Sequence, residues 1–132
     1  MTLPAAGQTL PELAVPITAG AIVAGAIATN DFENVHHDKA AAQATGVPDI
    51  FMNILTTNGL VQRYVSDWCG ADARIAGISI RLGAPNFVGD TMVLTGEVTG
   101  IDGGRATIAV RGRNRIGDHV TATITLDYGN AA

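Results

Sequence analysis

The chain has 132 residues, 47% of them hydrophobic and only 5% aromatic, with one cysteine and a formal net charge of −4. That length sets a single domain with a sizeable core built from Val, Ile, Leu and Ala. The acidic balance argues against nucleic acid, whose phosphates need a basic face, and the lone Cys69 excludes an intrachain disulfide and suits a reducing cytoplasm.

In chain order, residues 1–10 read as a loose arm. Leu13 to Thr18 reads as a first strand. Ala19 to Thr29 stays open: Ile22, Val23 and Ile27 fit a helical stripe, but glycines interrupt it. The apolar run from Leu13 to Ala28 is shorter than the ~20 residues a membrane span needs. It also lacks a basic leader, and so reads as core. Asp31 to His37 reads as a turn. Asp38 is placed to cap a helix over Lys39 to Thr45, with Gly46 where a left-handed residue is expected and Pro48 preventing continuation.

A longer helix is expected from about Phe51 to Trp68, with Phe51, Ile54, Leu55, Val61, Tyr64, Val65 and Trp68 near one stripe. Gly59 inside it costs about 1 kcal/mol relative to Ala, which a close strand or ligand crossing would explain. After Gly70 the period becomes two. Ile78–Leu82, Met92–Val98, Ala106–Arg111 and Val120–Leu126 alternate as four half-buried strands. Asp102-Gly103-Gly104 joins the second to the third, and Arg115 to Asp118 the third to the fourth. Short turns make them an antiparallel meander. One long helix packed on a curved antiparallel sheet buries both apolar faces. The expected class is therefore α+β, the hot-dog arrangement, with a sheet edge free to pair with a second subunit.

Chemistry concentrates in Asp31-Phe32-Glu33-Asn34-Val35-His36-His37-Asp38. Imidazole exchanges protons near neutral pH, and a partly desolvated carboxylate becomes a stronger base. Asp31 and His36 could together hold one water and steer its two protons. An Asp and a His in a turn can equally be plain structure, so spacing alone leaves both readings open. His36, His37 and Asp38 make a poor metal set, because adjacent side chains diverge and no further His or Cys cluster supports them. His37 is expected to act as support, and His119 to lie on a strand face.

The same residues resemble the hydratase motif of MaoC-like (R)-specific enoyl-CoA hydratases, D-x-N-P-[LIV]-H. Asp31, Val35 and His36 match it, and Glu33-Asn34 stand where the family has Asn-Pro. Gly46 to Leu55 follows the stretch leading into the family's central helix, with Met52-Asn53 in place of His-Gly, and Gly89-Asp90-Thr91 looks like its G-D-T. Within the family, Asp31 to Asp38, Asp49 to Thr56, Gly59 to Trp68 and Gly112 to Thr123 are similar to the small subunits of actinobacterial steroid side-chain enoyl-CoA hydratases.

The resemblance implies one MaoC-like domain over 1–132. It implies Asp31 as leading base, with His36 orienting the water and delivering a proton to C2. Backbone N–H groups at Asn53 and Ile54 would face the enolate oxygen, and Arg63, Arg81 and Arg111 are candidates for coenzyme A phosphates. No redox cofactor or metal is implied, since coenzyme A arrives as part of the acyl-CoA substrate. The implied partner is a second MaoC-like subunit in an α2β2 heterotetramer, with no nucleic acid or membrane. Two alternatives stand beside this. One is a non-catalytic acyl-CoA-binding subunit, which Glu33-Asn34 favours. The other is an acyl-CoA thioesterase, which has no need of the paired turn.

Overall fold

The computed structural model describes residues 2–129. Met1, the first residue of the expected arm, and residues 130–132, the end of the expected domain, lie outside the described residues. The elements are β1 (Thr9–Pro16), α1 (Ala19–Ala28), a 3-10 turn (Asn34–His36), α2 (Lys39–Ala44), α3 (Ile54–Cys69), a second 3-10 turn (Gly70–Asp72), β2 (Arg74–Leu82), β3 (Thr91–Asp102), β4 (Arg105–Arg113) and β5 (Asp118–Asp127). Five strands form one sheet in the order β1-β3-β4-β5-β2, with every neighbouring pair antiparallel. α3 lies against one face, and Met92, Leu94, Val98, Ile108, Ile124 and Leu126 from the strands are fully buried with Val61 and Val65 of the helix. This is the expected hot-dog arrangement.

Several expectations need correction. The loose arm is shorter than residues 1–10, because β1 starts at Thr9 and Leu10 is buried. Gly7 and Gln8 are already tied to Val98, through Gly7 N–H to Val98 O (2.7 Å) and Val98 N–H to Gln8 O (2.8 Å). The register shifts between Leu10 and Leu13, and this irregularity breaks the alternation that would have revealed the strand. Its far end is also earlier than expected: Thr18 leaves the strand and caps α1 by accepting from Ala21 N (3.0 Å). The ambiguous segment after it is helix.

The meander holds for β3, β4 and β5 only. β2 pairs with β5 at the opposite edge, Leu82 against Val120. The segment after β2 extends that pairing through Gly83 N–H to His119 O (2.7 Å), then reaches the β1 side, where Gly89 N–H binds Ile17 O (2.8 Å). A connection that crosses the sheet end this way is no hairpin.

α3 begins after Phe51, which instead bridges to Phe87. Ile54 and Leu55 do not join the buried stripe of Thr57, Val61, Tyr64 and Val65; each is 49% exposed. Among the described residues, nothing beyond the adjoining backbone of α3 lies within 4 Å of where a Cβ would stand at Gly59. The close approach is at Gly25 of α1, where a Cβ would overlap Thr56 of α3. Asp38 caps α2 as expected, accepting from Ala40 N (2.9 Å) and Ala41 N (3.2 Å). Gly46, just past that helix, has φ +100°. No helix among the described residues is long and apolar enough to cross a membrane.

Candidate active site

Asp31 is placed by the way α1 ends. Thr29 closes the helix and Asn30 takes the left-handed conformation (φ 58°) that Asn tolerates better than most residues. Asn30 N–H then binds Ile27 O (3.0 Å) and Asp31 N–H binds Ala26 O (2.8 Å). These two bonds make a Schellman ending, which satisfies carbonyls the helix would otherwise leave free. The backbone of Asp31 is therefore anchored to α1.

The 3-10 turn at Asn34–His36 carries the second group. Glu33-Asn34 starts it without the family's Asn-Pro pair, and Glu33 N–H binds Asp31 Oδ1 (3.2 Å). His36 is 7% exposed and packs edge-on against Phe51 at 5.1 Å between ring centroids. Its Nδ1 lies 2.6 Å from Phe51 O. A carbonyl only accepts, so Nδ1 carries the hydrogen, and a neutral His36 presents Nε2 as an acceptor. That Nε2 stands 3.4 Å from Asp31 Oδ2, whose side chain is 21% exposed.

α3 supplies the third contact. Asn53, its cap residue, is 3% exposed. Its Nδ2 donates to Asp31 Oδ2 (2.9 Å) and to Thr29 Oγ1 (2.9 Å), while its Oδ1 accepts from Thr56 N (2.9 Å). The N–H groups of Ile54 and Leu55, in the first turn, have no carbonyl four residues back within the helix.

The Asn53 amide, followed by the Glu33 N–H, holds the Asp31 carboxyl below its usual range. Burial pushes the other way, and the positive charge available to His36 and His37 adds to the lowering. This corrects the expectation of a base strengthened by its cleft: hydrogen bonds to the charged form outweigh desolvation here.

The remaining expected residues are distributed as follows. His37 turns away from His36, its ring stacked near Phe32 and its Nε2 2.8 Å from Asp31 O, so it supports the turn. Among the described residues, no group of three or more His, Cys, Asp or Glu side chains is placed to hold a metal ion. His119 is buried in β5, with Nδ1 donating to Ala84 O (2.7 Å) and Nε2 accepting from Thr57 Oγ1 (2.8 Å). Arg63 lies ten residues beyond Asn53 on α3, about 15 Å along a helix axis, and pairs with Asp67 (3.6 Å). Arg81 and Arg111 both flank Thr121 on the outer side of the sheet, and Arg111 pairs with Asp118 (3.5 Å). The chain itself does not bring these three arginines to the Asp31–His36 pair.

Sequence reasoning missed Thr29, Asn30 and the side chain of Asn53; only the αL preference of Asn30 offered a signal. It also missed an apolar patch. Ile27 (56% exposed), Phe32 (66%), Ile54 and Leu55 stand on the three segments that meet at the Asp31 carboxylate. Scattered exposed apolar residues are ordinary, but a group around a polar pair marks a surface meant for something apolar.

Known proteins share this fold. Residues 3–120 match the model of the MaoC like domain. The chain is 52% identical over 120 residues to the 3-oxo-4,17-pregnadiene-20-carboxyl-CoA hydratase beta subunit of Mycobacterium tuberculosis, covering 91% of this chain and 93% of that one. It superimposes on the crystal structure of the ChsH1–ChsH2 complex of M. tuberculosis with a TM-score of 0.92 at 50% identity, covering 95% of this chain and 98% of that one. Against the (R)-hydratase of A. caviae involved in PHA biosynthesis the TM-score is 0.86 at 25% identity, covering 94% and 96%. The chain belongs to the MaoC-like domain family.

Proposed function

We propose that this chain is the acid–base subunit of an enoyl-CoA hydratase, adding water across the 2,3-double bond of an α,β-unsaturated acyl-CoA on a steroid side chain. The observation that carries the reading is the pair of acceptors, Asp31 Oδ2 and His36 Nε2, 3.4 Å apart. Two acceptors facing each other have no donor between them. A water supplies two hydrogens and fits that need.

In the proposed reaction the water oxygen bonds to C3 as one of its protons passes to the pair. Electron density moves through C2 to the thioester oxygen, which the first N–H groups of α3 at Asn53 and Ile54 would stabilise. A proton then passes from the pair to C2. Water is consumed whole and the pair regains its starting charge, so no redox cofactor enters the balance. Asp31 leads as base while His36 orients the water; the proton taken by Asp31 Oδ2 crosses the 3.4 Å to His36 Nε2, which then delivers it to C2.

The steroid substrate is supported by the name of the 52% identical relative and by the apolar patch beside Asp31. A second chain as partner is supported by the complex on which this chain superimposes; that this partner is MaoC-like and that the assembly is α2β2 are what the family resemblance implies. A reducing cytoplasm is the proposed compartment.

The test is to co-express the chain with its partner as wild type, Asp31→Asn and His36→Ala, and to follow the enoyl-thioester absorbance. Each variant should lose about 10²–10⁴-fold in rate. Near wild-type hydration in both would overturn the assignment and leave catalysis to the partner, as for a non-catalytic binding subunit. Release of free coenzyme A thiol would instead identify a thioesterase.

A further inference from the structure

We propose that Asn53 is a positioning residue that ties the Asp31 carboxylate to the first turn of α3, so that the base and the helix N–H groups are held as one unit. This rests on the hydratase reading. Asn53 uses its whole hydrogen-bonding capacity. Its two N–H hydrogens go to Asp31 Oδ2 and Thr29 Oγ1, and its carbonyl oxygen takes both the N–H and the hydroxyl of Thr56. The orientation of the amide is forced. Thr56 N only donates and an ionised Asp31 only accepts, so the group cannot be turned over without losing both.

The surroundings leave little freedom. Asn53 is 3% exposed. Thr29 donates its own hydroxyl to Gly25 O (2.8 Å), which leaves its oxygen to receive the amide. Glu33 N–H holds the other carboxylate oxygen, Oδ1. With one oxygen on the turn and the other on Asn53, the carboxylate plane is set, and Oδ2 faces His36. The titratable neighbours of Asp31 are His36 and His37 from the turn side. Asn53 from α3 and Thr29 from the end of α1 are neutral.

A cap alone would ask less. Ser, Asp and Asn all cap a helix well, because all supply an acceptor. Of the three, only Asn carries its acceptor and its donors on separate atoms, so that it caps the helix and reaches the carboxylate at once; ionised Asp has no donor, and the single, shorter Ser hydroxyl has to serve both sides. Asn53→Asp and Asn53→Ser therefore keep the cap and remove the tie.

Both variants would be prepared in the complex with the partner subunit, beside Asp31→Asn and His36→Ala. Asn53→Ser should melt within a few degrees of wild type, as expected when a good cap replaces a good cap, and Asn53→Asp should melt lower, because it buries a second carboxylate beside Asp31. In Asn53→Asp the acid limb of kcat/KM should rise by about 1–2 pH units, because a second carboxylate now faces Asp31. In Asn53→Ser it should rise less, for lack of the new charge. In both, kcat should fall about 10–100-fold, as for a misplaced catalytic group, with KM moving less than about 3-fold. If the acid limb and kcat of both variants stay at wild-type values, Asn53 is a cap and nothing more. Should Asn53→Asp fail to assemble, the uncharged Asn53→Ser decides. If Asp31→Asn and His36→Ala keep their rates, the hydratase reading itself fails. If those two lose activity while the Asn53 variants do not, only this inference fails.

Discussion

Two glycines of the helical layer should respond to the same substitution with opposite signs. Ala gains about 1 kcal/mol over Gly in a helix interior. At Gly59 of α3 nothing opposes that gain, since among the described residues no atom outside the adjoining helix backbone lies within 4 Å of the added Cβ. Gly59→Ala should therefore stabilise by about 0.5–1 kcal/mol. At Gly25 of α1 the added Cβ would overlap Thr56 Oγ1 and stand 2.8 Å from Thr56 Cγ2. Thr56 has little room to yield, because its N–H and hydroxyl are both bound to Asn53 Oδ1. Forcing an extra methyl into such a contact costs about 1–3 kcal/mol. The helix gain is common to both, so Gly25→Ala should lie about 1–3 kcal/mol below Gly59→Ala. For a domain of this size 1 kcal/mol moves the midpoint by about 3–5 °C. Thermal unfolding of both variants with the partner present reads the gap directly. Because Thr56 is linked through Asn53 to Asp31, Gly25→Ala should also hydrate more slowly below its midpoint. If Gly25→Ala melts at or above Gly59→Ala, α1 and α3 do not meet as described.

Two further substitutions separate structure from chemistry. Burial, partly offset by the bond to Ala84, pulls the His119 imidazole below its ordinary value. The unfolded chain therefore takes up a proton below about pH 6.5 that the folded chain refuses. Stability is full above that pH and should fall as pH drops below it, by up to about 1.4 kcal/mol per pH unit. His119→Phe should flatten the slope between about pH 5 and 6.5 and cost about 2–4 kcal/mol for leaving Thr57 and Ala84 unpaired; urea titrations across that range would show it, and a wild type indifferent to pH there would contradict it. Asp38→Ala removes the cap of α2 and should cost about 1 kcal/mol while hydration continues. Loss of activity from a fully folded Asp38→Ala would move Asp38 into the chemistry.

What the sequence made legible was local. Ile108 and Val110 alternate with exposed neighbours and are buried as that pattern requires. Asp38 stands one residue before an Ala-rich run, and its carboxylate caps that run. The position of β2 was not legible, because alternation tells which face a strand buries and says nothing about which strand lies beside it. The start of β1 was hidden by the shifted register between Leu10 and Leu13. Asp31 and His36 were visible as a pair within one turn. The side chain of Asn53 was not, because a helix expected from Phe51 put Asn53 inside it and hid its capping role, and its second partner lies 22 residues away in the chain. Which carboxylate a capping amide finds is decided by packing, here by Gly25 letting α1 and α3 touch.

That packing sets Asp31 between two helix ends of opposite character. It follows the C-terminus of α1, whose partial negative charge disfavours a carboxylate, and it touches the cap of α3, whose N-terminus favours one. The Asn53 and Glu33 hydrogen bonds bring the balance below the usual carboxylate value. A carboxylate so stabilised is ionised at neutral pH but is a weaker base than a free one. Its basicity in the reaction must then be recovered when substrate arrives. Ile27, Phe32, Ile54 and Leu55, exposed on the segments that bear Asp31 and Asn53, offer apolar surface for that. An apolar acyl group seated on them would strip water from Asp31 while leaving its hydrogen bonds in place, and desolvation raises a carboxyl pKa. The apolar patch and the acid–base pair are then two parts of one device: the acyl group that the patch seats would also be the group that strengthens the base.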